Sequence, residues 1–186
     1  MDVAPFFTIG HSTRSVDEVV QLLREAGAGM VADVRTMPRS RTNPQFNSDV
    51  LAATLAAAAI DYRHFKALGG LRGKAKQTNH PANDLWRNAS FRNYADYAQT
   101  AAFAKALASL ITLGRAEVLA VMCAEAVWWR CHRRIIADYL LAGGEQVFHI
   151  MGRGVIVPAS PTPGAKFTNG SVTYPAPTAA LTADAS

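Results

Sequence analysis

Five short apolar runs alternate along this chain with segments of helical periodicity, and that alternation leaves few folds open. The runs are Phe6-Phe7-Thr8-Ile9-Gly10, Met30-Val31-Ala32-Asp33-Val34, Ile60-Asp61-Tyr62-Arg63-His64-Phe65, Val118-Leu119-Ala120-Val121-Met122 and Gln146-Val147-Phe148-His149-Ile150. After the first, Ser15-Val16-Asp17-Glu18 forms a capping box, in which the Ser15 side chain accepts from the Glu18 amide while Glu18 reaches back. The helix behind it places Val16, Val19, Val20, Leu22 and Leu23 on one side and stops at Gly27. An Ala-rich helix is expected from about Ser48 to Ala59. A long one is expected from a Ser90 cap through Leu113, closed by Gly114, and another from about Cys131 to Ala142. Strands separated by helices call for a parallel sheet with right-handed crossovers. The expectation is an α/β domain over residues 1–154, a Rossmann-like or flavodoxin-like three-layer fold of about five strands with helices on both faces. The most apolar run, Val118 to Met122, belongs at its centre.

Composition removes several classes. At 49% hydrophobic the chain is not generally disordered, and no apolar stretch reaches the ~18 residues of a membrane-spanning helix. The first five residues lack a signal-peptide pattern, and two cysteines do not make a disulfide framework. A cytoplasmic setting with no membrane partner is therefore expected. Beyond Gly154 the composition turns to Pro, Thr, Ala and Ser. This extension, residues 155–186, carries an Asn169-Gly170 hairpin signal over residues 167–174, and its end is expected to be disordered from Pro175.

The net charge of +5 is unevenly placed. Between Arg35 and Arg92 stand ten basic residues against three acidic ones, a block of +7 in an otherwise near-neutral chain. Much of it falls in two long segments after the second and third runs, which include Arg35, Arg39, Arg41, Arg72, Lys74 and Lys76. Charge runs are usually solvated surface. Gathered in loops, these point instead to an anionic partner, a small molecule or nucleic acid.

Ligands of open parallel sheets bind beyond the carboxyl ends of the strands. There the first strand offers His11, Ser12 and Arg14, and the second offers Asp33 and Arg35 with Arg39 beyond. The third leads to the Gly69-Gly70-Leu71-Arg72-Gly73-Lys74 loop, and the fourth ends at Cys123-Ala124-Glu125. The loops at the opposite edge are comparatively bare. The densest group is Cys123, Glu125, Cys131, His132 and Arg133, with the last three opening a helix whose free amides favour anions and thiolates. Cys123, Glu125, His132, His11 and Asp33 are the expected catalytic residues. Ser12, Arg14, Arg35, Arg39, Arg72, Lys74, Cys131 and Arg133 are the expected substrate-binding ones. A thiol suits covalent catalysis, whereas Glu125 paired with Asp33 suits acid–base hydrolysis, and the residues alone do not choose.

Familiar motifs fail on spacing. A Cys-x5-Arg phosphatase loop would need Arg where Trp129 stands, and no Cys-x-x-Cys occurs. Around Lys74 the phosphate-loop pattern meets Leu68 and Ala75 where Gly and Ser or Thr are required. Cys123, Cys131 and His132 are metal-ligating types, but seven residues between the cysteines is not structural zinc spacing, so no metal ligand and no cofactor is assigned.

Ile9-Gly10-His11-Ser12, Asp33-Val34-Arg35, and Cys123-Ala124-Glu125 followed by Cys131-His132-Arg133 together resemble the domain of unknown function 488 family, over roughly Phe6 to Met151. The resemblance implies a bacterial or archaeal cytosolic α/β domain with its active site around these motifs, and it carries no reaction. The functional expectation is an enzyme, a hydrolase or transferase, acting on a phosphate-bearing substrate such as a nucleotide or nucleic acid. The alternatives are a non-catalytic nucleic-acid-binding module and a thiol or metal redox sensor.

Overall fold

The computed structural model describes residues 4–73 and 81–177. In chain order the elements are β1 (Phe6–Gly10), α1 (Val16–Glu25), β2 (Met30–Asp33), α2 (Ser48–Ala57), β3 (Asp61–His64), α3 (Ala89–Tyr97), α4 (Ala101–Ala116), β4 (Leu119–Cys123), α5 (Arg133–Ala142), β5 (Val147–Gly152), β6 (Val155–Pro158), β7 (Lys166–Thr168) and β8 (Ser171–Thr173). Six strands form one sheet in the order β3-β2-β4-β1-β5-β6, parallel except for β6. Every residue of β1 and β4 is buried, as strands covered on both faces require.

The period of two along each strand sorts the core into two layers. Phe7, Ile9, Val31, Ala120 and Met122 face α1 and α2, meeting Val19, Leu22, Leu23, Leu51 and Leu55. Phe6, Ala32, Val34, Leu119, Val121 and Cys123 face the other way, toward α3, α4 and α5. The architecture is thus the three-layer α/β arrangement with a mostly parallel sheet. It positions the site through a divergence of connections. β1 and β2 lead into helices on one face, whereas β4, lying between them, leads to α5 on the other. Loops that part in this way leave a crevice at the carboxyl end of β4.

Several local expectations change. Ser15 accepts from the Glu18 amide at 3.1 Å, but the Glu18 carboxylate turns to Arg14 instead of reaching back. The long helix expected from Ser90 to Leu113 is two helices, with Asn88 rather than Ser90 capping the first. The break comes at Gln99-Thr100, because Thr100 caps α4 while Gln99 donates to the Val172 carbonyl and Tyr139 hydroxyl. Gly114 lies inside α4, where a Cβ would meet the Phe6 ring at 2.1 Å, so this glycine serves close packing instead of ending the helix. The opposite edge of the sheet is not bare, since Arg115 pairs with the buried Glu145 there.

The sheet has six strands where about five were expected, and the sixth lies beyond the boundary drawn at Gly154. β6 pairs antiparallel with β5. β7 and β8 form a hairpin through Asn169 and Gly170, both at positive φ, the backbone that a two-residue turn of this hand needs. Val172 and Tyr174 are fully buried in the α3–α5 layer, and the Tyr174 hydroxyl donates to Asp138 at 2.8 Å. The segment to Tyr174 therefore belongs to the domain. Of the end expected to be disordered from Pro175, residues 178–186 lie outside the described residues. Among the described residues no helix is long and apolar enough to cross a membrane.

Candidate active site

A cavity of about 400 Å³ opens at the carboxyl end of β4. Its floor is Cys123, Cys131 and His132, and Arg35, Arg39, Glu125 and Arg130 stand in its wall with Thr36, Met37, Leu71, Ser90 and Phe91. β4 delivers Cys123, and a single helical turn at Trp128–Arg130 brings the chain back so that Cys131 and His132 precede α5. Two close approaches hold this corner. The loop after β4 lies so near β1 that a Cβ on Gly10 would be 1.8 Å from the Glu125 carbonyl oxygen. A Cβ on Gly70 would be 2.5 Å from His132 Nδ1, so only glycine lets that ring sit where it does.

The His132 ring is oriented by its far nitrogen. Nε2 lies 3.1 Å from the Val34 carbonyl, which only accepts, so Nε2 carries the proton and Nδ1 presents a lone pair. That lone pair faces both sulfurs, at 3.6 Å from Cys131 Sγ and 3.9 Å from Cys123 Sγ. Tyr94 tilts against the ring, with centroids 4.9 Å apart. Beneath them Arg133, 1% exposed, donates from Nε to Cys131 Sγ at 3.3 Å and from a terminal nitrogen to the Glu125 carbonyl at 2.6 Å. The two thiols behave as a pair. Burial opposes a charge on Cys131, but the hydrogen bond from Cys123 and the Arg133 cation outweigh it and bring its pKa well below the ordinary thiol value. The hydrogen bond to Cys131, with burial, holds Cys123 well above that value.

Asp33 and His11 stand one step back from the cavity. Asp33 is fully buried and accepts from the Arg35 guanidinium at 2.6, 2.9 and 3.1 Å, from the Arg35 amide and from the Tyr62 hydroxyl at 2.7 Å. His11 donates from Nδ1 to the Ser12 carbonyl and accepts from Arg35 at Nε2, while its ring stacks on Phe46 with centroids 4.0 Å apart. Burial lowers its pKa from 6.5 to about 4, which keeps it neutral. Both residues hold Arg35, the one member of this trio that lines the cavity.

Other expected residues are spent elsewhere. Arg14 donates to the Gly10 and Met151 carbonyls, tying the end of β1 to that of β5. Ser12 sits at a positive φ of 47° with its amide on the Ala124 carbonyl. Arg72 stacks on Tyr97 at 3.6 Å and donates to the Lys66, Ala67 and Gly69 carbonyls. Lys74 lies outside the described residues. Glu125 is exposed at the rim, with no side-chain hydrogen bond among the described residues. Of the aromatics that neighbour the basic block, Trp86 and Tyr94 are core, and Phe91 alone lines the cavity. Sequence reasoning missed Arg130, Thr36, Leu71 and the Val34 carbonyl. Only Arg130 carried a local signal, its place beside Cys131.

Neither a comparison with curated proteins nor one with solved structures finds a match. Residues 15–140, well over half of the chain and enclosing the cysteine–histidine corner, match the family model described as Domain of unknown function DUF488. Three spaced motifs, the fold that joins two of them at one cavity, and this match agree: the chain belongs to the DUF488 family.

Proposed function

We propose that the cavity is the active site of an enzyme, a hydrolase or transferase, acting on a small phosphate-bearing substrate of the nucleotide class. The observation that carries this reading is the meeting of Cys123, Cys131 and His132 at the floor of a cavity whose wall holds three arginines and one glutamate. Arg39 and Arg130 are exposed, and neither forms an ion pair among the described residues, so their donors are free for phosphate oxygens. Arg35 is already neutralised by Asp33 and adds a fixed donor, not a free charge. Met37, Leu71 and Phe91 supply an apolar wall for a flat or hydrophobic moiety. The floor meets the reacting group, and Glu125 at the rim is placed to pass a proton to or from solvent. A cavity of about 400 Å³ suits a mononucleotide rather than a polymer.

Calorimetric titration with nucleoside monophosphates and their unphosphorylated nucleosides tests this. Binding of the phosphorylated forms, weakened at least ~10-fold in Arg39→Ala or Arg130→Ala, is expected. Equal affinity for the nucleosides, or no effect of either arginine, would overturn it.

A further inference from the structure

The three side chains at the cavity floor are spaced as three corners of a coordination tetrahedron. His132 Nδ1 stands 3.6 Å from one sulfur and 3.9 Å from the other, and all three atoms lie within 4.8 Å of one another. Zinc bonds of about 2.3 Å to sulfur and about 2.0 Å to nitrogen, meeting at the tetrahedral angle, put sulfur and nitrogen about 3.5 Å apart. Small side-chain shifts therefore close the set. We infer that Cys123, Cys131 and His132 bind one Zn²⁺ ion whose fourth ligand comes from the cavity.

Three further features support the inference. The imidazole already donates its outer N–H to the Val34 carbonyl and turns its lone pair to the sulfurs, the arrangement by which proteins orient a metal-ligating histidine. Tyr94 and Gly70 both pack against the ring, so little order remains to be imposed on binding. The Arg133 Nε–H points at Cys131 Sγ, a donor to a sulfur that a metal would hold as thiolate. Two sulfurs and one imidazole with no oxygen select zinc over calcium or magnesium. Two thiolates balance the charge of Zn²⁺, and the buried Arg133 leaves the centre one positive charge in excess. An anionic fourth ligand, such as a substrate phosphate oxygen, matches that excess, and on this point the inference rests on the function proposed above. The seven-residue gap between the cysteines does not count against the site, because one ligand ends a strand and two precede a helix.

The full-length chain, stripped with a chelator, is titrated with Co²⁺ and then with Zn²⁺. One equivalent of Co²⁺ should produce sulfur-to-cobalt charge-transfer absorption with strong tetrahedral d–d bands, and Zn²⁺ should abolish both. Cys131→Ser and His132→Ala should each lower Zn²⁺ affinity about 100-fold or more. Since a buried cysteine variant can fail to fold, the unmodified chain supplies a second readout: one equivalent of Zn²⁺ should protect both thiols from a disulfide reagent. Absence of the charge-transfer band, or thiol reaction rates unchanged by Zn²⁺, would overturn the site. Mononucleotide binding to the metal-free chain without any cobalt band would leave the proposed function standing and remove the metal. A cobalt band with no phosphate-bearing ligand bound would do the reverse.

Discussion

The Arg133 guanidinium lies against the Cys131 sulfur, Nε to Sγ 3.3 Å, and among the described residues no carboxylate pairs with it. The same fork reaches the Glu125 carbonyl, so one buried side chain ties the start of α5 to the loop after β4. An ammonium group cannot serve both partners in one fixed plane. Arg133→Lys should therefore destabilise the fold by about 2 kcal/mol. Urea denaturation checks this, and an unchanged midpoint would mean that the fork does not hold the corner together.

Gly70 is the contact that admits His132. Gly70→Ala should push the ring off its place and lower stability by about 1–3 kcal/mol. Gly73→Ala, with nothing among the described residues within 4 Å of its Cβ, is the matched control and should be near neutral. Thermal melts of the pair decide the point. Equal melting temperatures would show that the loop yields freely.

Asp33, itself fully buried, neutralises Arg35, which is almost wholly buried at the cavity wall. Asp33→Asn leaves that charge buried and should cost about 3–5 kcal/mol. Tyr62→Phe removes one hydrogen bond to the same carboxylate and should cost about 1–2 kcal/mol. If denaturant unfolding ranks the two variants in the opposite order, the ion pair is not what holds the second strand's end.

Burial lowers the pKa of His149 from 6.5 to about 4, with Arg133 adding to the effect, and burial lowers that of His11 similarly. Between those values the unfolded chain binds protons that the folded chain refuses, so stability falls as pH drops from 6.5 toward 4 and levels below it. His149→Gln should make that slope shallower. Its place beneath Trp128, with rings 4.4 Å apart, and its bond to the Thr8 hydroxyl also predict some loss at neutral pH. A stability profile flat down to pH 4 would contradict both shifts.

A chain ended at Gly154 loses β6 and uncovers the surfaces that Val172 and Tyr174 fill. It should fail to fold cooperatively. Tyr174→Ala in the full chain should cost about 3–5 kcal/mol. Circular dichroism of the truncation gives the answer, and a sharp native-like melt would restore the earlier boundary.

Much of this was legible in advance. The strands, α1, the Asn169-Gly170 turn and the concentration of reactive side chains at the carboxyl edge all follow from local pattern. The division of α3 from α4 was not, because its cause is a long-range contact: Gln99 answers a carbonyl of β8, seventy-three positions away. The inclusion of residues 155–174 was hidden for the same reason: Val155-Ile156-Val157 is an apolar run, but its pairing with β5 and the burial of Val172 and Tyr174 are long-range contacts. Within the site, Cys131 and His132 announced themselves beside each other. Their distance from Cys123 did not.

The amino-acid sequence by itself determined the periodicities, and through them a covered parallel sheet with its chemistry at one edge. Periodicity is a property of neighbours, and it says nothing about strand order. Placing β4 between β1 and β2 was decided only in three dimensions, and that placement makes the crevice. The tertiary structure also separated the nominated residues by role: Asp33 and His11 hold Arg35, Arg14 and Arg72 bind backbone carbonyls, and Cys123, Cys131 and His132 meet. Side chains far apart along the chain converge because packing places the strand end against the helix start, and no local pattern encodes that distance.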